Sequence, residues 1–512
     1  MLKAMTMRKR VSGSTPTVIR RSFKFRYCAV FLVTLLMAGI ATRGNTQDSV
    51  EAIVSALRSQ HYDEALAAAD SALKLNPHDS RIWTLKGMAL SRKGDLSAAL
   101  TAFHTALTIS PNNLGTLRAE ASTLYDTGDK RALPVLQQIV KADPNDKTAH
   151  GMLAVTEAKN DLCSPALVQF QLLTEEVGSH PDSLQWYGYC LMHEKRFAEA
   201  ADVFERLVKL FPDRTDARYD LALVQTMAGR NVDAIQTLRP LLSSTSADSD
   251  VLALAAEDYE ATGDTPKAVS LLRQAIGLDP GNADLYVRFA GLCLNHDSFQ
   301  VGVDVVNAGL QRVSNSASLY IVRGLLYGQL EQYDKADKDF ETADQLNPAN
   351  ITASHALAAN EIQSGDLEAA QTAIERKLAD HPNDASLHAT LAKILIARGA
   401  KAGSLDFNRA MDSALLAIHL DPGLTPPRDL LAGMYLTSGQ NTLAAQQCRI
   451  ALKMNPSDQT ALYHLIEASR KTGRQAEVQA LIKRLLALQQ NGPTQESTQK
   501  RYKIIEQNQA SH

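Results

Sequence analysis

Residues 83–111 read WTLKGMALSRKGDLSAALTAFHTALTISP, from Trp83 to Pro111. Apolar residues recur every three or four positions on both sides of Gly94-Asp95, the pattern of two amphipathic helices joined by a short turn. Glycine takes the left-handed conformation that closes the first helix, and the aspartate after it caps the second. Pro111 cannot continue that second helix, so the chain turns again there. One such hairpin cannot bury its apolar face alone.

The stretch is one copy of a repeat. Prolines that end an apolar helical pattern stand at Pro77, Pro111, Pro144, Pro181, Pro212, Pro280, Pro348, Pro382, Pro422 and Pro456. Their gaps are 34 or close to it, and two are 68, with Ser246 and Ser314 where the skipped prolines would fall. Twelve residues before a proline stands Ala65, Ala99, Ala200, Ala268, Ala336, Ala370, Ala410 or Ala444. Twenty-four before stands Gly87, Gly188, Ala256, Gly324, Ala358 or Ala432, and seventeen before, Gly94, Gly263, Gly365 or Gly439. The small residues mark places where helix axes approach closely. Large ones such as Trp83, Phe103, Tyr320 and Phe340 fill the space between hairpins.

This combination resembles the tetratricopeptide repeat, a 34-residue helix-turn-helix unit. The clearest copies run Trp83, Gly87, Leu90, Gly94, Ala99, Phe103, Ala106, Pro111 and Tyr320, Gly324, Tyr327, Tyr333, Ala336, Phe340, Ala343, Pro348. The resemblance covers residues 46–490, about thirteen units, and implies an all-α, right-handed solenoid. Stacking along one axis explains how 512 residues exceed the roughly 250–300 that one core supports. Local departures are visible. The unit ending at Pro144 is one residue short, with Ala132 displaced, and the unit ending at Pro181 is three long. Six extra residues around Lys401–Asp406 imply a widened turn or a longer helix. The Gln-rich residues 491–512 read as a polar C-terminal cap that frays.

Residues 1–41 read as an export signal. Eight Lys or Arg and no acid precede or flank the apolar run Cys28–Ala41, whose 14 residues fall short of the roughly 20 of a spanning helix. A cleaved signal peptide, with the mature chain starting near Thr42, is the expectation; an uncleaved anchor facing the same compartment is the alternative. The expected location is extracytoplasmic, periplasmic or envelope-associated, with membrane contact only through the leader. The rest of the chain carries 45 Lys and Arg against 56 Asp and Glu, which argues against nucleic acid as a partner.

No H-E-x-x-H, Walker, G-x-G-x-x-G or G-x-S-x-G motif occurs. His150, His355 and His388 fall on the first helices of three separate hairpins and form no local ligand set. Glu175-Glu176 and Glu257-Asp258 read as solvated helix faces. Cys163, Cys190, Cys293 and Cys448 show no metal spacing and read as buried free thiols. Cys163 and Cys190 nevertheless fall on neighbouring helices, where an oxidising compartment would permit pairing. The chain is therefore expected to have no catalytic residues, no cofactor and no metal.

The resemblance implies a concave face, lined by first helices, that holds a peptide or a partner helix. The inward positions include Thr84, Met88, Arg118, Ser122, Gln185, Tyr189, His355 and Lys393, and no consecutive pair forms the Lys–Asn clamp that grips a chaperone's acidic C-terminus. The expected function is a non-catalytic protein-binding scaffold of the cell envelope. Alternatives are a structural component of a secretion or polysaccharide-export machine and, further off, a regulatory subunit of an enzyme. Trp186, Tyr189, Met192, Tyr219, Leu223 and Met227 gather on two successive first helices and are the candidate groove residues. The competing reading is that they simply pack between hairpins.

Overall fold

The computed structural model describes residues 44–173, 179–243, 247–490 and 504. The leader, Glu175-Glu176 and all of residues 491–512 except Ile504 lie outside the described residues. Among those described there are 26 helices and no strand, and the helices pair into thirteen hairpins.

Each hairpin turn holds one residue with positive φ just after its first helix, and the widened turn after Ala397 has a second, Gly403. Eight of the residues just after a first helix are glycines: Gly94, Gly128, Gly229, Gly263, Gly365, Gly399, Gly439 and Gly473. The other five, Gln60, Asp161, Lys195, Asp297 and Glu331, hold φ between 51° and 62° although their side chains oppose it. The Gly-Asp pairs behave as their order implies. Gly94 closes α3 (Ser80–Lys93), and Asp95 caps α4 (Leu96–Ile109) by accepting from the Ala98 N–H at 3.1 Å. Asp264 and Asp366 accept from Lys267 and Ala369 in the same way.

Small residues sit where the two helices of a hairpin meet. A Cβ on Gly87 would stand 2.5 Å from the Phe103 ring, and one on Gly188 would stand 2.6 Å from Phe204. Where the residue sixteen further on is smaller, alanine takes the glycine's place, as in Ala222 with Leu238, Ala256 with Leu272 and Ala358 with Ile374. Ala154 with Phe170 is the exception. The proline turns are tied down too. Trp83 donates its indole N–H to the Pro77 carbonyl at 2.9 Å, and Tyr286 its hydroxyl to that of Pro280 at 3.1 Å. His388 Nε2 and Arg428 reach the Pro382 and Pro422 carbonyls, both at 2.9 Å. Large side chains here are thus donors as well as space fillers.

The described residues form two compact units divided between Pro240 and Leu241. In the N-terminal unit the first helices touch one another from residues 44–58 through 181–193, and each second helix packs on its own first helix and on the next. The C-terminal unit repeats this arrangement from residues 283–295 to 459–471, around an apolar cluster that runs from Ala358 to Ala468. The extra residues near Lys401 are shared between two features. The turn between α21 (Ala385–Ala397) and α22 (Leu405–Leu420) is widened, and α22 is 16 residues long where most second helices have 14.

Three expectations are corrected. Asp258 is fully buried rather than solvated, and Glu257 pairs with Arg288 of the next first helix at 3.2 Å. Ile504 is 3% exposed and donates its N–H to Ser298 Oγ at 3.0 Å, so at this residue the tail is packed, not frayed. The third concerns the cysteines. Cys163 and Cys190 are bonded to each other, while Cys293 and Cys448 are free and buried.

Candidate functional site

Cys163 opens α8 (Cys163–Gln171), and Cys190 lies near the end of α9 (Pro181–His193). Consecutive helices run antiparallel, so the start of one meets the end of the next, and the two Cα atoms are 4.9 Å apart. The bridge closes 27 residues of sequence separation, which corresponds to about 3 kcal/mol of stabilisation. It fixes α9 against the shortest of the thirteen second helices. Burial pushes the free Cys293 and Cys448 thiols up to about 12, which keeps them protonated and unreactive.

The disulfide thus anchors the helix that carries three of the candidate groove residues. On α9, Trp186 and Tyr189 lie one turn apart and meet edge to face, with ring centroids 5.4 Å apart. Both are half-buried, while Met192 is 8% exposed. On α11 (Thr215–Met227), Tyr219 is 7% exposed and Leu223 is 5% exposed; Met227 is half-buried. The helix α11 buries an unbroken run from Tyr219 to Thr226, so its apolar stripe is shared among several neighbours. The accessible part of the six-residue group is therefore Trp186, Tyr189 and Met227.

A polar network borders these rings. Gln185 of α9 donates to the Asp220 carboxylate of α11, and Arg214 donates to Gln185 Oε1 at 3.3 Å. Arg214 also holds Asp216. Burial alone would raise the Asp216 carboxyl, but the Arg214 guanidinium overrides it and keeps it below the ordinary carboxylate range. Further along the same unit, Thr84 and Thr116 share a hydrogen bond of 2.7 Å, and Arg118 bridges Asp143 and Asp146 at 2.7 and 2.6 Å. The first-helix face here sets polar pairs beside the aromatic edge of Trp186 and Tyr189. Such a surface suits the side chains of a polypeptide, with the rings as apolar anchors and the polar pairs as hydrogen-bonding partners.

The histidines stay apart. His150 is satisfied by Gln169 at 2.6 Å and the Pro144 carbonyl at 3.0 Å, and His355 meets Thr390 at 3.1 Å. Among the described residues, no three His, Cys, Asp or Glu converge as metal ligands. No helix among them is long and apolar enough to cross a membrane.

Family models described as the tetratricopeptide repeat match residues 50–113, 191–257, 329–394 and 434–493, together half of the chain. The chain belongs to the tetratricopeptide repeat family. Relatives share 23–24% identity over part of their length. Superkiller protein 3 of Schizosaccharomyces pombe is 24% identical over 57% of this chain and 22% of its own. Cellulose synthase operon protein C of Xanthomonas axonopodis pv. citri is 24% identical over 56% of this chain and 19% of its own. The chain thus spans less than half the length of the relatives it matches. Yeast Tom70 superposes with a TM-score of 0.45 at 19% identity, covering 89% of this chain and 94% of that one. Tetratricopeptide repeats are protein-binding scaffolds, and the edge of Trp186 and Tyr189 gives this one an aromatic contact on a first helix.

Sequence reasoning missed the polar bridge between Gln185 and Asp220 and a buried glutamate, Glu361. The second left a signal. The residue three after the Gly or Ala at the helix crossing is Leu90, Leu191, Tyr327, Leu395 or Tyr435 in several repeats, and Glu157, Gln225 and Glu361 break that series with a polar side chain.

Proposed function

We propose that this protein is an exported, non-catalytic scaffold that binds polypeptide partners through the first-helix face around Trp186 and Tyr189. The observation that carries the location is the Cys163–Cys190 disulfide. Disulfides persist in oxidising compartments and are rare where glutathione and thioredoxin act. The basic leader with its 14-residue apolar run supports the same compartment.

The location is tested by thiol trapping in native cells. Cells are quenched in acid, and the protein is alkylated with a maleimide polymer before and after reduction. The expected result is a product in the extracytoplasmic fraction in which Cys163 and Cys190 react only after reduction. A cytosolic product with both thiols free overturns the proposal.

A second reading places the protein as a structural part of a polysaccharide-export assembly. Its support is the similarity to cellulose synthase operon protein C, which reaches 19% of that protein's length. Co-purification of this chain with membrane-embedded export components, insensitive to Tyr189→Asp, would favour this reading over the first.

A further inference from the structure

A cavity of about 480 Å³ opens in the C-terminal unit between two second helices, α18 (Tyr333–Leu346) and α20 (Leu367–Asp380), with the first helix α19 (Thr352–Ser364) between them. Its wall carries the carboxylates of Glu341, Glu361, Asp366 and Glu368 against one cation, Arg376, and Leu357 supplies an apolar contact. Nearby acids are already engaged. Asp339 is held by Arg323 through two hydrogen bonds of 2.6 and 2.7 Å, and Asp344 by Lys377 at 2.6 Å.

Glu361 is different. It is 8% exposed, it lines the cavity, and its Oε2 is buried without a hydrogen-bond partner. Leaving a buried acceptor unpaired is destabilising, and more so when it is charged. Glu157 occupies the equivalent place in its own repeat and also has an unpartnered Oε2, but there burial alone acts on it. At Glu361 three acidic neighbours, Asp337, Asp366 and Glu341, act with the burial. A cation entering the cavity would neutralise this excess, and a turn of the Glu361 carboxyl toward it would give the orphaned oxygen a donor. The carboxylates do not group as three ligands for a metal ion, whereas a guanidinium or ammonium head carries several N–H donors that match a surplus of acceptors.

We propose that this pocket receives the guanidinium or ammonium head of an arginine or lysine side chain presented by a polypeptide partner, with Glu361 as its buried anchor. The proposal rests on the reading of the protein as a polypeptide-binding scaffold, and it assigns the chemistry of one contact. The pocket opens among second helices, whereas Tyr189 belongs to a first helix of the other unit.

The test titrates synthetic heptapeptides into the full-length protein by saturation-transfer NMR. The probes are acetyl-Gly-Ala-Gly-Arg-Gly-Ala-Gly-amide, its lysine counterpart, and the same peptide with citrulline, the neutral isostere of arginine. Agmatine serves as the free-amine arm. The arginine or lysine peptide is expected to bind at least tenfold more tightly than the citrulline peptide. That preference should fall below twofold in Glu361→Gln and survive in Tyr189→Ala. Glu361→Leu, which restores the apolar residue other repeats carry, should lose the preference while melting no lower than wild type. Equal binding of the citrulline peptide, absence of peptide binding, binding of agmatine alone, or retention of the preference in Glu361→Gln would each overturn the proposal. Loss of the preference in Tyr189→Ala but not in Glu361→Gln would move the contact to the aromatic face and leave the scaffold reading standing.

Discussion

The ring of Phe340 fills the space that a Cβ on Gly324 would need, with only 2.5 Å between them. Introducing a methyl group forces the hairpin apart, and overpacking of this kind costs about 1–3 kcal/mol. Gly324→Ala should therefore lower the urea midpoint. Adding Phe340→Leu recreates the pairing seen at Ala256 and Leu272, so the double variant should recover much of the loss. Strictly additive destabilisation would contradict this packing.

Lys195 carries a left-handed backbone, φ 59°, where eight other hairpins use glycine. A residue with a Cβ spends roughly 1–2 kcal/mol to stay there. Lys195→Gly is expected to raise the melting temperature, and Gly94→Ala to lower it by a comparable amount. The same sign for both would show that these turns are not limited by backbone strain.

Much of this architecture is legible in the sequence because its devices are local. A left-handed turn residue, a proline that stops a helix, and a glycine opposite a phenylalanine leave marks at fixed spacing. Thirteen hairpins follow from that spacing alone. What was not legible depends on how neighbouring helices face one another. The spacing of Cys163 and Cys190 says nothing of pairing until α8 and α9 are known to run antiparallel with the two cysteines level. Tyr219 and Leu223 carry a groove-like pattern, but α11 is enclosed along most of its length, which a single helical stripe does not reveal. Trp186 and Tyr189 keep an accessible edge because the enclosure of α9 is less complete.

Burial pushes the carboxyls of Glu157 and Glu361 up to about 7, from an ordinary 4.5. Around Glu361, Asp337, Asp366 and Glu341 push the same way, and Arg376 opposes them. The folded chain then binds more protons than the unfolded chain between these values. Their contribution to stability is full below about 4.5 and is lost as pH rises through about 7. Relative to wild type, Glu157→Gln with Glu361→Gln should be stabilising at pH 8, by an amount on the order of 2 kcal/mol, and the advantage should fade toward pH 5. His355 and His464, held low by burial, titrate with the opposite sign, but both proteins carry them and the difference cancels. A melting difference of equal size at the two pH values would contradict the assignment.

The disulfide should act on its own unit. Cys163→Ser with Cys190→Ser is expected to lower the midpoint of a transition in the N-terminal unit by the equivalent of about 3 kcal/mol. Hydrogen exchange in residues 385–471 should remain unchanged. Loss of protection in both units alike would show that the bridge is not a local brace.

The most direct test of the scaffold reading is photo-cross-linking in the native cell, with benzoylphenylalanine placed at Tyr189 or at Leu75. Leu75 ends the second helix α2 (Tyr62–Leu75) and is 72% exposed, so it controls for surface accessibility. The expected result is a discrete polypeptide adduct from position 189, recovered in the extracytoplasmic fraction, with none from position 75. No adduct at position 189, or the same adducts from both positions, would contradict binding through the first-helix face.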